Sequence, residues 1–426
     1  MTGVPRLRTL AATLGIALHL PFAATVLAQA VEAPPVLRAQ DVLPPPLVRG
    51  PHHSVDPAVY VRSFMHEYRV RSEFGTYEVG GDSRLRILVR ELAAIAELRK
   101  FKQTDAFLEA AKNAATGPFR AVRNLVEDPA GTLSGIPNAA ADVFNRVGEQ
   151  FRRGRRTQYE DSSAAALLAV SSFKRDLARK LGVNVYSTNE ALQKELNSVA
   201  WASAAGNLSL GAVSVATGAA VLQVAGYVRV LDQAKEVIAA EPPAEISRRS
   251  RRTLTGIGIS KDRVDRFLAH LSFSARHQFL IVTSLQLMEG VGGRERFLDA
   301  AMTARSEADA HLFQQTAEMM AGYHRTVRPL ARISADWGFP VGLLPGGQVV
   351  VLAPVDHVFW TDRAADFFAR LPSRPARTDQ RGRRGAEAAL GEVWLTGDVS
   401  PRARQEIARR GYALHVRGGN RIAIAD

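Results

Sequence analysis

Residues 201–228 read WASAAGNLSLGAVSVATGAAVLQVAGYV, and how they are read decides the fold. No charged residue falls between Glu195 and Arg229. A membrane-spanning helix needs about 20 consecutive apolar residues, so the length permits a span. The content resists one. The run is built from Ala, Gly, Ser and Val, and Asn197, Asn207 and Gln223 interrupt it. Polar groups within hydrocarbon are costly. Small residues let helix backbones approach closely, and a helix apolar on all sides belongs in a core. Three readings stand. The first is a packed helical core containing 196–228. The second is a single span, with Arg229, Lys235 and the arginines of 248–252 on the cytoplasmic side. The third is a helical hairpin over 196–231 that inserts into a bilayer. The polar interruptions favour the core. Gly206, Gly211, Gly218 and Gly226 are the close-packing positions under each reading, although their spacing makes no G-x-x-x-G ladder.

Upstream residues bear on location. Residues 1–30 place Arg6 and Arg8 before an apolar run and end on Ala28-Gln29-Ala30. This is the layout of a secretory signal peptide cut after Ala30. The expectation is a periplasmic or secreted protein of the cell envelope, with membrane association as the alternative. The chain has no cysteine, which excludes disulfides, thiolate zinc sites, thiol catalysis and a lipidated N-terminal Cys. Its formal charge is +13. A basic exported protein favours an anionic lipid surface, or an envelope glycan or protein, as its partner. Two arginine clusters, Arg152, Arg153, Arg155 and Arg156, then Arg248, Arg249, Arg251 and Arg252, are the candidates for that contact. No zinc-finger, helix-turn-helix or aromatic RNA-binding pattern is visible, so nucleic acid is not an expected partner.

The rest of the chain divides by composition. Residues 31–57 are proline-rich and read as an extended tether. Residues 58–156 begin with a short β-hairpin, EYRVRSEFGTYEVGG, and continue as helices. Asp82-Ser83 offer an N-cap, and Leu85, Leu88, Leu92 and Ile95 fall on one helical stripe. Residues 157–324 read as the helical core. Residues 325–370 hold a hairpin around Pro345-Gly346-Gly347, and 371–388 a charged linker. Residues 389–426 read as a β-α-β-β unit: Ser400 caps a helix with Pro401 at its first position, and Gly411 ends it. Strands over 412–416 and 421–425 would then pair across Gly418-Gly419-Asn420. The fold class expected is mainly α: a multi-helix body with a small C-terminal α+β unit.

Candidate chemistry is sparse. Ser171 and Lys174 match the S-x-x-K of penicillin-binding proteins and β-lactamases, in which Lys activates a nucleophilic Ser. The S-x-N echo at 187–189 follows too soon, the K-T-G strand is missing, and Ser171 falls inside a predicted helix. Glu307 and His311 stand four apart, with Glu318 on the same side, a spacing that suits a divalent metal or a surface ion pair. Asp356 and His357 follow a predicted strand, where Asp can orient His. His66-Glu67 lacks the second His of H-E-x-x-H. No Walker motif, dinucleotide fingerprint or G-x-S-x-G occurs, and no cofactor is expected. The reading that follows is a non-catalytic, envelope-associated structural or interaction protein. The alternatives are a membrane-anchored or membrane-inserting protein using 196–231, and a periplasmic hydrolase with a serine or Asp-His centre.

Overall fold

The computed structural model describes residues 31–114, 158–206, 226–372, 390–420 and 422. Residues 1–30, the arginines of 152–156, Gly211, Gly218, the centre of the uncharged tract, most of the 371–388 linker and most of the 421–425 strand lie outside the described residues.

The expected helical body with one small α+β unit is overturned: the chain carries two substantial sheets. The first occupies residues 37–80 and has six strands, all antiparallel. They are β1 (Leu37–Arg38), β2 (Arg49–Gly50), β3 (His53–Val55), β4 (Ala58–Arg62), β5 (Met65–Ser72) and β6 (Gly75–Gly80). The expected tether is thus the first half of a sheet, with α1 (Ala39–Val42) and α2 (Pro45–Val48) between its strands. The prolines bound these elements instead of preventing them. Pro44 and Pro45 open α2, where a missing N–H would be unsatisfied in any case. Ala39, Leu43 and Val55 are buried, and β1 and β3 pair with β4 and β5.

Strand β5 is the spine of this sheet. β4 and β3 line one edge and β6 the other. Its inward residues are His66, Tyr68 and Val70, alternating with the more exposed Glu67, Arg69 and Arg71. Ser63 and Phe64 connect β4 to β5 with φ of 50° and 71°. A two-residue loop with both residues left-handed matches the twist of the strands, but costs roughly 1–2 kcal/mol per non-glycine residue.

Helix α3 (Asp82–Phe101) lays Leu85, Leu88, Leu92, Ile95 and Leu98 on the first sheet. Helices α4 (Asp105–Ala114), α5 (Gln158–Leu181) and α6 (Glu190–Gly206) close that core with Leu177, Leu196 and Val199. Helices α7 (Gly226–Ala240), α8 (Pro243–Gly256), α9 (Lys261–Leu268), α10 (Ala275–Leu287), α11 (Arg294–Ala301) and α12 (Glu307–Thr326) follow. Among the described residues, no helix is long and apolar enough to cross a membrane.

The second sheet has the order β13-β11-β9-β8-β7. Its strands are β7 (Arg332–Ser334), β8 (Val341–Leu343), β9 (Val349–Ala353), β11 (Gly391–Leu395) and β13 (Tyr412–His415). β7, β8 and β9 form an antiparallel meander; β9, β11 and β13 are parallel. β13 pairs in parallel with β11 through the crossover helix α14 (Pro401–Arg409), while most of the 421–425 strand expected beside it lies outside the described residues. A short parallel pair, β10 (His357–Val358) and β12 (Asp398–Val399), stands beside it, with α13 (Asp362–Arg370) following β10. Both faces of the second sheet are covered. Val350, Leu352 and Trp394 face the helices around α12, while Val349, Val351, Val393 and Leu395 face α13 and α14. A continuous apolar run such as VVVL is what a strand buried on both faces requires.

Candidate functional site

Asp356 lies between β9 and β10, and it reaches across the molecule. Its Oδ2 accepts the N–H of His66 at 2.9 Å, and its two oxygens accept the N–H of Asp82 at 3.2 and 3.3 Å. Asp82 is the first residue of α3, and its N–H has no partner within the helix. The N-cap position belongs to Gly81, with φ of 101° and no side chain to cap with. The expected local cap by Asp82-Ser83 is thus replaced by a carboxylate 274 residues downstream, which also complements the helix dipole. The backbone reinforces the joint: the N–H groups of Asp356 and His357 both donate to Phe64 O at 3.0 Å.

Around Asp356 the side chains form a second layer. His66 Nδ1 lies 2.8 Å from Asp82 Oδ1, and Tyr68 donates its hydroxyl to the same oxygen at 2.5 Å. Tyr68 Oη is also 3.1 Å from His66 Nδ1. His66 is 4% exposed, and its Nε2 is buried with no hydrogen-bond partner among the described residues. Burial and the Asp82 charge push the Asp356 carboxyl up to about 7, against the two amide hydrogen bonds. Burial alone would lower His66, but the Asp82 hydrogen bond and the charges of Asp82 and Asp356 hold it above its ordinary value. Burial, then Asp82, drives the Tyr68 hydroxyl upward. His66, Asp82 and Asp356 each place a donor atom within 4.8 Å of the others.

A second polar group begins one residue later. Ser83 Oγ lies 2.9 Å from His311 Nε2 and accepts the side-chain amide of Gln315 at 2.9 Å. His311 and the neighbouring His277 reach the floor of a cleft of about 770 Å³. Glu91 lies on the same floor and accepts from Asn189 Nδ2 at 3.0 Å. All three ionisable groups are buried. Burial raises Glu91, while hydrogen bonds from Ser187 and Asn189 oppose the rise. Burial, helped by the His311, Arg276 and Arg84 charges, pushes His277 down to about 3. The neutral ring fits its role in the capping box of α10, where Nδ1 accepts the Ser274 N–H at 3.3 Å. A second cavity of about 920 Å³, lined by Phe64, Trp337, Phe339 and Phe367, lies on the far side of His311.

No known protein family, curated protein or solved structure matches this chain.

Of the candidates read from sequence, Asp356 joins a centre, but with His66 and not with His357. The His357 ring stacks on Phe359 at 4.3 Å, and burial lowers its proton affinity. Ser171 is exposed on α5, and burial lowers the Lys174 ammonium. Glu307, His311 and Glu318 do not form a solvated set. Glu307 accepts from Thr188 at 2.7 Å and sits 3.7 Å from Arg84, while His311 and Glu318 are buried in α12, with Gln314 donating to Glu318 at 3.0 Å. The second arginine cluster lies on α8. Arg248 and Arg252 pair with Glu245, Arg249 with Glu241 and Arg251 with Asp265. Gly206 ends α6 and Gly226 opens α7. The sequence offers His66 only as half of an H-E-x-x-H pattern and Asp82-Ser83 only as a helix cap, and it does not single out Glu91. The visible signal was the inward-facing polar pair His66 and Tyr68 on an otherwise alternating strand.

Proposed function

We propose that the protein is an exported, envelope-associated interaction protein that binds a small polar ligand in the cleft over Glu91, His277 and His311. The observation that carries this reading is the floor itself. Three ionisable side chains, each under 7% exposed, are held at the bottom of an open cleft of about 770 Å³. Buried ionisable groups facing a cavity are the mark of a site that meets a ligand. Glu91, with its Ser187 and Asn189 partners, offers hydrogen bonds to such a molecule, and Arg175 and Arg276 stand on the walls. The signal-peptide layout of residues 1–30 supports export. Glu32 is tied to the second sheet region: its backbone N–H donates to Trp360 O at 2.8 Å, and its Oε2 accepts from Trp360 N at 2.6 Å and Ser400 Oγ at 2.5 Å.

The test is equilibrium dialysis of the full chain and of Glu91→Ala against a small-molecule extract of the bacterial envelope, read by mass spectrometry. A compound retained by the wild type and lost with Glu91→Ala supports the reading. Equal retention by both, or none by either, contradicts it.

One observation favours a second reading, a hydrolase with a serine centre. Ser83 Oγ is within hydrogen-bond reach of His311 Nε2, the relation of a nucleophile to its base. Labelling by a fluorophosphonate probe, abolished in Ser83→Ala, would establish it. A wild-type chain that stays unlabelled removes it.

A further inference from the structure

The Asp356 centre is separate from the cleft floor, and neither cavity is lined by His66, Asp82 or Asp356. Its donors come from two distant parts of the chain: β5 and the first residue of α3, 16 residues apart, and the turn after β9. We propose that His66, Asp82 and Asp356 bind one divalent first-row cation, of which Zn²⁺ is the type, through one ring nitrogen and one oxygen from each carboxylate.

Four observations converge on this site. One donor atom of each residue lies within 4.8 Å of the other two. Ligands at about 2.0–2.1 Å from a tetrahedral ion stand about 3.4 Å apart, so closure by roughly an ångström completes the set. The donor chemistry is mixed imidazole and carboxylate, which suits first-row ions better than Mg²⁺ or Ca²⁺. Each ligand is already held. Asp356 is fixed by the N–H groups of His66 and Asp82, and Asp82 by the Tyr68 hydroxyl. Such outer contacts orient metal ligands and are a regular part of metal sites.

The His66 ring supplies the fourth sign. It is buried, and Nδ1 is the nitrogen that faces the carboxylates, 2.8 Å from Asp82 Oδ1. A cation held there takes the Nδ1 lone pair, leaves the ring proton on Nε2 and supplies positive charge beside two close carboxylates. Because its ligands come from both sheets, the ion would act as a clasp between them, and its binding would add to folding.

The experiment is calorimetric titration of Zn²⁺ into the full chain after chelator treatment, with X-ray absorption of the loaded protein. One equivalent is expected, with nitrogen and oxygen neighbours at about 2.0–2.1 Å. Asp356→Asn is expected to abolish stoichiometric uptake. Tyr68→Phe keeps the buried ring and loses only the outer hydroxyl, so binding is expected to weaken about 10–100-fold. Glu307→Gln, at the cleft, is expected to bind as the wild type does. Circular dichroism checks folding; where Asp356→Asn does not fold, Tyr68→Phe decides in its place. Absence of saturable uptake, or uptake that the deciding variant leaves unchanged, overturns the proposal. Dialysis at the cleft reads a different site, so either result stands without the other.

Discussion

The two sheets of this protein are built by opposite means. The first is local: its six antiparallel strands all lie within residues 37–80. The second gathers strands from residues 332 to 415 and needs two parallel crossovers to close. A local sheet can fold around its own hairpins, whereas parallel pairing must first close long loops. The first sheet exposes one face of β5 to solvent; the second is buried on both faces. The difference teaches where the molecule is vulnerable. The second sheet depends on its core and on contacts that arrive from elsewhere in the chain: Asp356 with β5 and α3, and Glu32 with Trp360 and Ser400.

The comparison can be broken or sharpened by substitution. Trp360 is fully buried under α13, with the Arg410 guanidinium 4.5 Å from its ring centroid. Trp360→Ala should destabilise the protein by about 3–5 kcal/mol, read by urea unfolding. A loss under 1 kcal/mol would mean that the second sheet does not rest on this core. Gly397 is next: a Cβ there would sit 1.9 Å from Asp356 O. Gly397→Ala should therefore push the joint apart and cost about 3 kcal/mol, the upper range for an overpacked site. Equal stability in a thermal melt would show that the turn after β9 is free to move.

Glu32→Ala removes the acceptor of two hydrogen bonds, one of them to the Trp360 backbone, and should cost about 2 kcal/mol. Hydrogen exchange at Trp360 should quicken while β5 and β6 keep their protection; equal acceleration of both sheets would contradict their separate dependence. One pH-dependent contribution comes from His277. Its folded-state affinity for a proton is depressed to about 3, and the unfolded ring titrates near 6.5. The unfolded ring binds the extra proton between these values. The His277 contribution is therefore full above pH 6.5 and falls by about 1.4 kcal/mol per unit as pH drops below it, until about pH 3, while Asp356, raised to about 7, contributes the opposite slope from about pH 7 down to about pH 4. The stability difference between the wild type and His277→Gln should carry the His277 slope; a difference that does not change with pH assigns the slope to other groups. The smallest effect expected is at Ser63. Ser63→Gly relieves a left-handed residue, partly offset by the flexibility glycine adds to the unfolded chain, for a gain of about 0.5 kcal/mol. A measurable loss would show that the Arg363 contact at 2.9 Å outweighs the backbone strain.

Legibility in the sequence follows the same division. The hairpin of β5 and β6 and the apolar stripe of α3 could be read because their partners lie within a few residues. The Ser400 cap and the helix it opens were equally local, with Ser400 Oγ accepting from Ala403 N at 3.0 Å. Residues 31–57 could not be read, because their strands are two or three residues long and are defined by pairing with β4 and β5. Proline composition described their turns and concealed their partners. The candidate centre was half legible. Asp356 stood out at a strand end, yet His66 and Asp82 are 290 and 274 residues away. Nothing in local spacing announces such a contact. Helix α12 misled for another reason: its Glu307, His311 and Glu318 side looked solvated, but only Glu307 keeps partial exposure, while buried His311 meets Ser83 and buried Glu318 meets Gln314 one turn earlier on the same helix.

The central claim is that Asp356 joins the two sheets by capturing the amides of His66 and Asp82. Amide hydrogen exchange of those two residues, in the wild type and in Asp356→Ala, tests it most directly. The account predicts slow exchange of both in the wild type. In the variant both should accelerate together at least about tenfold, the equivalent of about 1.4 kcal/mol, while the Tyr68 and Val79 amides of the β5–β6 ladder hold. Fast exchange in the wild type, or no response to Asp356→Ala, would contradict it.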